Sequence, residues 1–368
     1  MSQQPPRAPS PGLSLPKKLL FSAIMTTALL VLAELGVRTW VYHVREQFER
    51  FDAANQTFIL KPGEYRKMGT TVKINSDGFV GAELQPRTPE LWRIVAVGDS
   101  NTFGGGDDVN TYPAKLEQLL EKRASGPLPR YEVVNAGIEG LNSSEALARL
   151  RSKVLPLQPD VVTIYIGWND LMKFDPTGQD ANNELAGVSR SLDRLWLVKG
   201  MRKLLFYYLR PYADPPATGP ESRTGRFRDF TPTFYIDNLR EMIRLVRESG
   251  ARPLVMSLAT VVREDMDVDD LRSGNVFFPY FSSAYGVDDL LDLVAAYNRA
   301  VVRVAAEEQV PLLRLDQLFD RPDYRELFFD TMHPTEKGQW LLARALARTL
   351  DEQDMLGREA VEARTARR

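Results

Sequence analysis

Ser100 and His333 are the residues whose types and placement first suggest chemistry. An apolar run, Ile94-Val95-Ala96-Val97, ends in the turn Gly98-Asp99-Ser100-Asn101-Thr102-Phe103-Gly104. A serine is thereby delivered to the carboxyl end of a strand, where α/β sheets present nucleophiles and bind ligands. Its hydroxyl attacks a carbonyl only if a base takes the proton, and that base needs an orienting group. The chain has two histidines, and His333, in Asp330-Thr331-Met332-His333-Pro334, is the one far from the amino end. The Asp330-x-x-His333 spacing covers about one helical turn. It lets the carboxylate meet the imidazole, fix its tautomer and stabilise the imidazolium. The implied chemistry is acyl transfer at Ser100, with His333 as base and Asp330 as its orienter.

The negative charge that develops on the carbonyl oxygen needs fixed donors. The Ser100 N–H is one. Val134-Asn135-Ala136-Gly137 offers the Gly137 N–H, although an ordinary strand-to-loop glycine reads the same way. Ile166-Gly167-Trp168-Asn169-Asp170 offers the Asn169 amide, with an Asx turn as the bland alternative. Asp99 and Asp170 are read as supporting residues. Asp170 would orient the loop that carries Asn169, with substrate contact as its alternative role. Gly104-Gly105-Gly106 lacks the Lys-Ser/Thr of a phosphate loop, and Asp107-Asp108 reads as a solvated loop start. His43 adjoins an apolar segment and is read as facing solvent or headgroups.

The elements that would position these residues follow a strand-then-helix rhythm. Apolar β-type runs fall at 92–97, 131–135, 160–166, 253–257 and 311–315. Helical patterns at 112–123, 143–155, 232–249, 288–309 and 335–350 separate or follow them, with Ser143-Ser144 as a cap and Pro334 as the first residue of the closing helix. Such alternation implies right-handed crossovers and a doubly wound parallel α/β sheet. Two stretches break the rhythm. Leu171 to Thr231 holds a basic and apolar helix at 188–209, and Ala259 to Val287 holds Phe277, Phe278, Tyr280, Phe281 and Tyr285. Both leave strand ends and would rim the crevice as a lid or substrate wall, or pack as surface elaboration.

Composition narrows the classes. Of 368 residues, 43% are hydrophobic and 26% charged, which is ordinary for a globular chain, and the net charge of −2 supplies no field for nucleic acid. The absence of cysteine removes thiol nucleophiles, disulfides and thiolate metal sites. Two distant histidines make a histidine-rich metal centre improbable, so no metal or organic cofactor is expected. The amino end differs: Lys17-Lys18 precede an apolar run from Leu19 to about Val37, roughly 28 Å as a helix and close to a bilayer core. Arg7, Lys17 and Lys18 favour a cytoplasmic amino end with the remainder exported. The rival is a cleaved signal peptide, for which Ala33-Glu34-Leu35 is a poor cleavage site.

Taken together, the blocks around Ser100, Gly137, Asn169 and Asp330-x-x-His333-Pro334 resemble the SGNH/GDSL hydrolase family over about residues 75–350. Asn101 stands where the family name implies leucine. The resemblance implies a flavodoxin-like three-layer α/β/α sandwich with a five-stranded parallel sheet, here preceded by one transmembrane helix. It implies Ser100 as nucleophile, Gly137 and Asn169 in the oxyanion hole, and Asp330 and His333 completing the catalytic set. The expected organisation is a disordered cytoplasmic tail (1–16) and a transmembrane signal anchor (17–41). A stalk with the amino-terminal edge of the main domain (42–90) follows, then the hydrolase domain (91–352) with insertions at about 171–231 and 259–287. A polar, frayed tail (353–368) ends the chain. The expected function is ester hydrolysis on the periplasmic side of a cell membrane, on an acyl ester of a polysaccharide or lipid. The alternatives are O-acyl transfer to an envelope polysaccharide and a catalytically silent glycan-binding subunit.

Overall fold

The computed structural model describes residues 14–41, 47–67, 69–104, 108–123, 129–172, 227–273 and 286–365, together with Leu197, Met201 and Gly225. The aromatic cluster expected at 277–285, His43, and the helix expected at 188–209 (apart from Leu197 and Met201) lie outside the described residues.

Five strands form one parallel sheet in the order β6-β5-β7-β8-β9: β5 (Leu91–Gly98), β6 (Arg130–Asn135), β7 (Val161–Tyr165), β8 (Arg252–Met256) and β9 (Leu312–Leu313). In chain order this is 2-1-3-4-5, the flavodoxin-like arrangement, with its switch point beside the first strand. Every residue of β5 and β7 is buried, as a strand covered on both faces requires. On one side α3 (Tyr112–Arg123) packs with the closing helix, Glu336–Glu352. On the other, α4 (Ser143–Arg149) packs on a helix at Thr233–Glu248, and that helix packs on one at Val287–Glu307. The register pairs Ala96 with Asn135 and Gly98 with Tyr165. The loops leaving β6 and β7 therefore flank the turn that leaves β5.

Several local expectations change in three dimensions. The cap of α4 is Asn142, not Ser143. Its side chain accepts from the Glu145 N–H while the Glu145 carboxylate accepts from the Asn142 N–H, a reciprocal pair that satisfies two helix-end donors. The closing helix begins at Glu336 rather than Pro334, with Thr335 as its cap, whose hydroxyl accepts from the Gly338 N–H at 3.4 Å. Pro334 instead pairs with Phe328 in an isolated bridge.

From Phe48 onward the segment read as a stalk with the amino-terminal edge of the main domain is packed structure. Two antiparallel hairpins, β1 (Glu49–Asp52) with β2 (Thr57–Leu60) and β3 (Gly63–Lys67) with β4 (Thr70–Ile74), lie on the sheet's β6 side. Phe48, Leu60, Val72, Ile74, Phe79 and Val80 join the main core, and each large apolar side chain buried this way stabilises by about 2 kcal/mol. Buried Arg149 clasps the two parts, donating to Ala136 O after β6 and to Phe58 O and Gly78 O of the amino-terminal segment. The polar look of residues 49–73 reflects the open faces of the hairpins. The carboxyl-terminal tail is likewise docked. Its helix (Arg358–Thr365) buries Val361, Arg364 donates to Asp160, and the Trp92 indole donates to Met355 O.

The amino-terminal helix α1 (Leu15–Val41) is the one helix among the described residues long and apolar enough to cross a membrane. Glu34, the acidic interruption in its apolar run, accepts from Arg38 one turn on.

Candidate active site

Ser100 opens a one-turn helix, α2 (Ser100–Phe103), immediately after β5. Gly98 makes the turn possible: a Cβ there would stand 2.0 Å from Thr102 Oγ1 and 2.6 Å from Tyr165 O. Asp99 caps α2, its carboxylate accepting from the Asn101 N–H at 3.0 Å and from the Asn101 amide at 3.1 Å. Burial pushes the Asp99 carboxyl up, against these bonds. Gly104 ends the turn in the left-handed region at φ 83.

The loop before the closing helix brings His333 to Ser100. Their Nε2 and Oγ atoms are 2.8 Å apart, across 233 positions of sequence. His333 Nδ1 lies 2.6 Å from Asp330 Oδ2, while Asp330 Oδ1 accepts from the N–H groups of Met332 (3.0 Å) and His333 (2.9 Å). Burial opposes ionisation of both groups. For Asp330 the bonds and charge of His333 outweigh it and hold the carboxyl below its ordinary value. For His333 the Asp330 bond and the charges of Asp330, Asp99 and Glu139 outweigh it and raise the imidazole above its ordinary value. Bonded to a carboxylate at Nδ1, the neutral ring presents a lone pair at Nε2, the form that takes a proton from serine. Phe329, half exposed, stacks on this ring with centroids 5.4 Å apart and planes 14° apart. Sequence reading missed it; the signal was its place immediately before Asp330.

Asn169 lies at the start of α5 (Trp168–Met172), directly after β7. Its amide donates to Asp99 Oδ2 at 3.4 Å, which fixes which side-chain atom is nitrogen and leaves a second amide proton. Asp170 accepts from the Ser143 N–H (2.9 Å) and hydroxyl (2.5 Å) at the start of α4. A carboxylate there also meets the positive end of the helix. Asp170 thus ties the turn carrying Asn169 to α4, the orienting arrangement. Trp168 is buried and packs in the core.

Gly137 lies in the loop after β6. Its N–H donates to Asn135 Oδ1 at 3.0 Å and is taken up within its own turn. Asn135 in turn donates to Thr102 O at 2.8 Å. A Cβ on Gly137 would stand 2.3 Å from Phe103 N and 2.7 Å from Thr102 C. The glycine is needed because the β6 loop presses on the backbone of α2. Asn135 was missed because its role depends on this close approach.

A parallel sandwich ordered 2-1-3-4-5, with serine, histidine and aspartate joined at its switch point, defines an α/β scaffold able to activate a serine. Residues 96–341 match the profile of the GDSL-like Lipase/Acylhydrolase family, and the chain belongs to that family. It is 35% identical over 92 residues to the uncharacterized lipoprotein YqeF of Bacillus subtilis, covering 25% of this chain and 37% of that protein. It is 25% identical over 120 residues to the isoamyl acetate-hydrolyzing esterase of Saccharomyces cerevisiae, covering 32% of this chain and 47% of that one. The chain thus spans less than half the length of these curated relatives. Similar solved structures include a GDSL-like lipase from Bacteroides thetaiotaomicron (16% identity, 73% of this chain and 92% of that one, TM-score 0.44). An acetylxylan esterase from Geobacillus stearothermophilus is also similar (19%, 70% and 94%, TM-score 0.43).

Proposed function

We propose that this protein is a membrane-anchored serine esterase. The observation that carries the reading is the continuous chain from Ser100 Oγ through His333 to Asp330. In the proposed reaction, His333 Nε2 takes the Ser100 proton as Oγ bonds to the ester carbonyl carbon. The oxygen of that carbonyl becomes negative and is held by the Ser100 N–H and the Asn169 amide. Collapse breaks the bond to the alcohol oxygen, which leaves with the proton from His333, and Ser100 carries the acyl group. Water then attacks with His333 again as base, releasing the carboxylic acid and restoring the serine. Asp330 keeps its proton state throughout and holds the imidazole. No metal or organic cofactor enters this sequence.

Lys17, Lys18 and the apolar α1 support an amino end in the cytoplasm and a catalytic domain across the membrane, on the periplasmic side. The substrate class is an acyl ester, on a glycan or lipid. Full-length protein in detergent, incubated with a fluorophosphonate and digested, should yield Ser100 as the modified residue. Modification elsewhere, with Ser100 untouched, would remove the assignment of the nucleophile. Product analysis with acetyl ester and added sugar separates free acid, the hydrolase outcome, from acylated sugar, the transferase outcome.

The acid side of the pH profile follows from His333. Only the neutral imidazole accepts the serine proton, so turnover falls as pH drops through the His333 pKa. Because that pKa is raised above 6.5, half-maximal kcat/KM lies above pH 6.5. A midpoint below 6.5 would contradict the electrostatics described here.

A further inference from the structure

Lys67, the last residue of β3, reaches the site from the amino-terminal hairpins. Its side chain is 9% exposed, and its ammonium meets Glu139 Oε2. The same ammonium lies over the rings of Phe103 (4.6 Å) and Phe48 (5.2 Å), so it is wedged between the hairpin and α2, whose first residue is Ser100. Glu139 sits in the loop after β6, between Gly137 and the left-handed Gly140, and its side chain remains 30% exposed. Its charge acts on His333. Asp330 from its own loop, Asp99 from the end of β5 and Glu139 from the β6 loop are among the charges that raise the His333 imidazole. Among the described residues, Lys67 is the cation paired with Glu139. Asp99 and Asp330 are committed to bonds within the protein. Glu139 is the most exposed carboxylate of the three, at 30% against 13% for Asp330, with Asp99 buried.

We propose that Glu139, held in place by Lys67, is a specificity-determining residue of this active site. It accepts hydrogen bonds from an uncharged, hydroxyl-bearing alcohol and discriminates against esters that carry a negative charge near the scissile bond. The proposal rests on the reading of Ser100 and His333 as nucleophile and base. A like charge approaching within several ångströms of a partly screened carboxylate is repelled enough to change selectivity several-fold. Lys67 offsets part of that charge, so removing Lys67 and removing Glu139 must act in opposite directions. A role in holding the fold alone would not give opposite signs.

The test uses full-length protein and two acetyl esters of matched shape, methyl 4-acetoxybenzoate (uncharged) and 4-acetoxybenzoate (anionic). Glu139→Gln should raise kcat/KM for the anionic ester relative to the neutral one by about threefold or more. Lys67→Met should lower that ratio, and Lys67→Arg should restore it. A second readout does not need turnover. With only two histidines in the chain, carbon-13 NMR of labelled histidine, with His43→Gln to leave one signal, follows His333 directly. Its titration midpoint should move down in Glu139→Gln and up in Lys67→Met. If the wild-type chain hydrolyses the neutral ester through Ser100 but Glu139→Gln leaves the ratio unchanged, the specificity assignment alone is overturned. If the wild-type chain hydrolyses neither ester, the esterase reading fails and takes this assignment with it.

Discussion

Ser100→Ala is expected to lower kcat/KM for an acyl ester by about 10⁴-fold or more while leaving the thermal midpoint within about 2 °C of wild type. The two halves of this result have separate physical grounds. The Ser100 side chain bonds to His333 Nε2, and removing its oxygen removes the atom that, in the proposed reaction, forms the covalent intermediate. What is left is binding and oxyanion stabilisation, which accelerate an attack by water only modestly. The scaffold hardly notices. Asp99 caps α2 with its own carboxylate, Thr102 and Phe103 donate to Asp99 O, and alanine fits the first helical position. Initial rates on a soluble ester, beside a thermal melt, measure both. A variant that keeps more than about a tenth of wild-type turnover would show that another nucleophile operates.

Asp330→Asn is the second large effect, an expected loss of about 10⁴-fold in kcat. Asp330 does two jobs with two oxygens. Oδ1 accepts from the backbone N–H groups of Met332 and His333 and so shapes the loop; Oδ2 meets His333 Nδ1. Asparagine keeps the first job, because its oxygen still accepts from both N–H groups. It reverses the second, because its amide donates to Nδ1. The imidazole must then carry its proton on Nε2, where it cannot take one from Ser100. The variant should therefore fold and still bind substrate, with KM close to wild type and kcat collapsed. Loss of folding would show that the charge itself holds the loop. Retained turnover would show that the orienting group is elsewhere.

Much of this site was legible in the chain because its signals are local or scarce. The run into Gly98 is apolar throughout, as a strand buried on both faces must be, and a chain with two histidines leaves little choice of base. The order of strands follows from their alternation with helices and the handedness of crossovers. What escaped depends on contact between distant segments. Nothing in the sequence around Gly137 shows that the backbone of Thr102 and Phe103 crowds its α-carbon. Asn142 and Ser143 are both competent caps, and only backbone geometry decides between them. The hairpins at 49–74 show their polar faces in sequence, whereas Glu49, Thr57, Leu60, Val72 and Ile74 are buried. The carboxyl-terminal tail has few apolar residues, but Met355, Leu356 and Val361 all find the core. Strand β9 is two residues long because only Leu312 and Leu313 pair with β8 at the sheet's edge.

The burial of Phe48 also limits how far the catalytic serine can travel. Between Val41, where α1 ends, and Phe48, fixed in the core against Phe103, the chain advances seven residues, at most about 25 Å fully extended. If α1 lies in a bilayer, as proposed, that short connection would hold the folded domain close to the lipid. Esters displayed just above the membrane would then be met at a raised effective concentration.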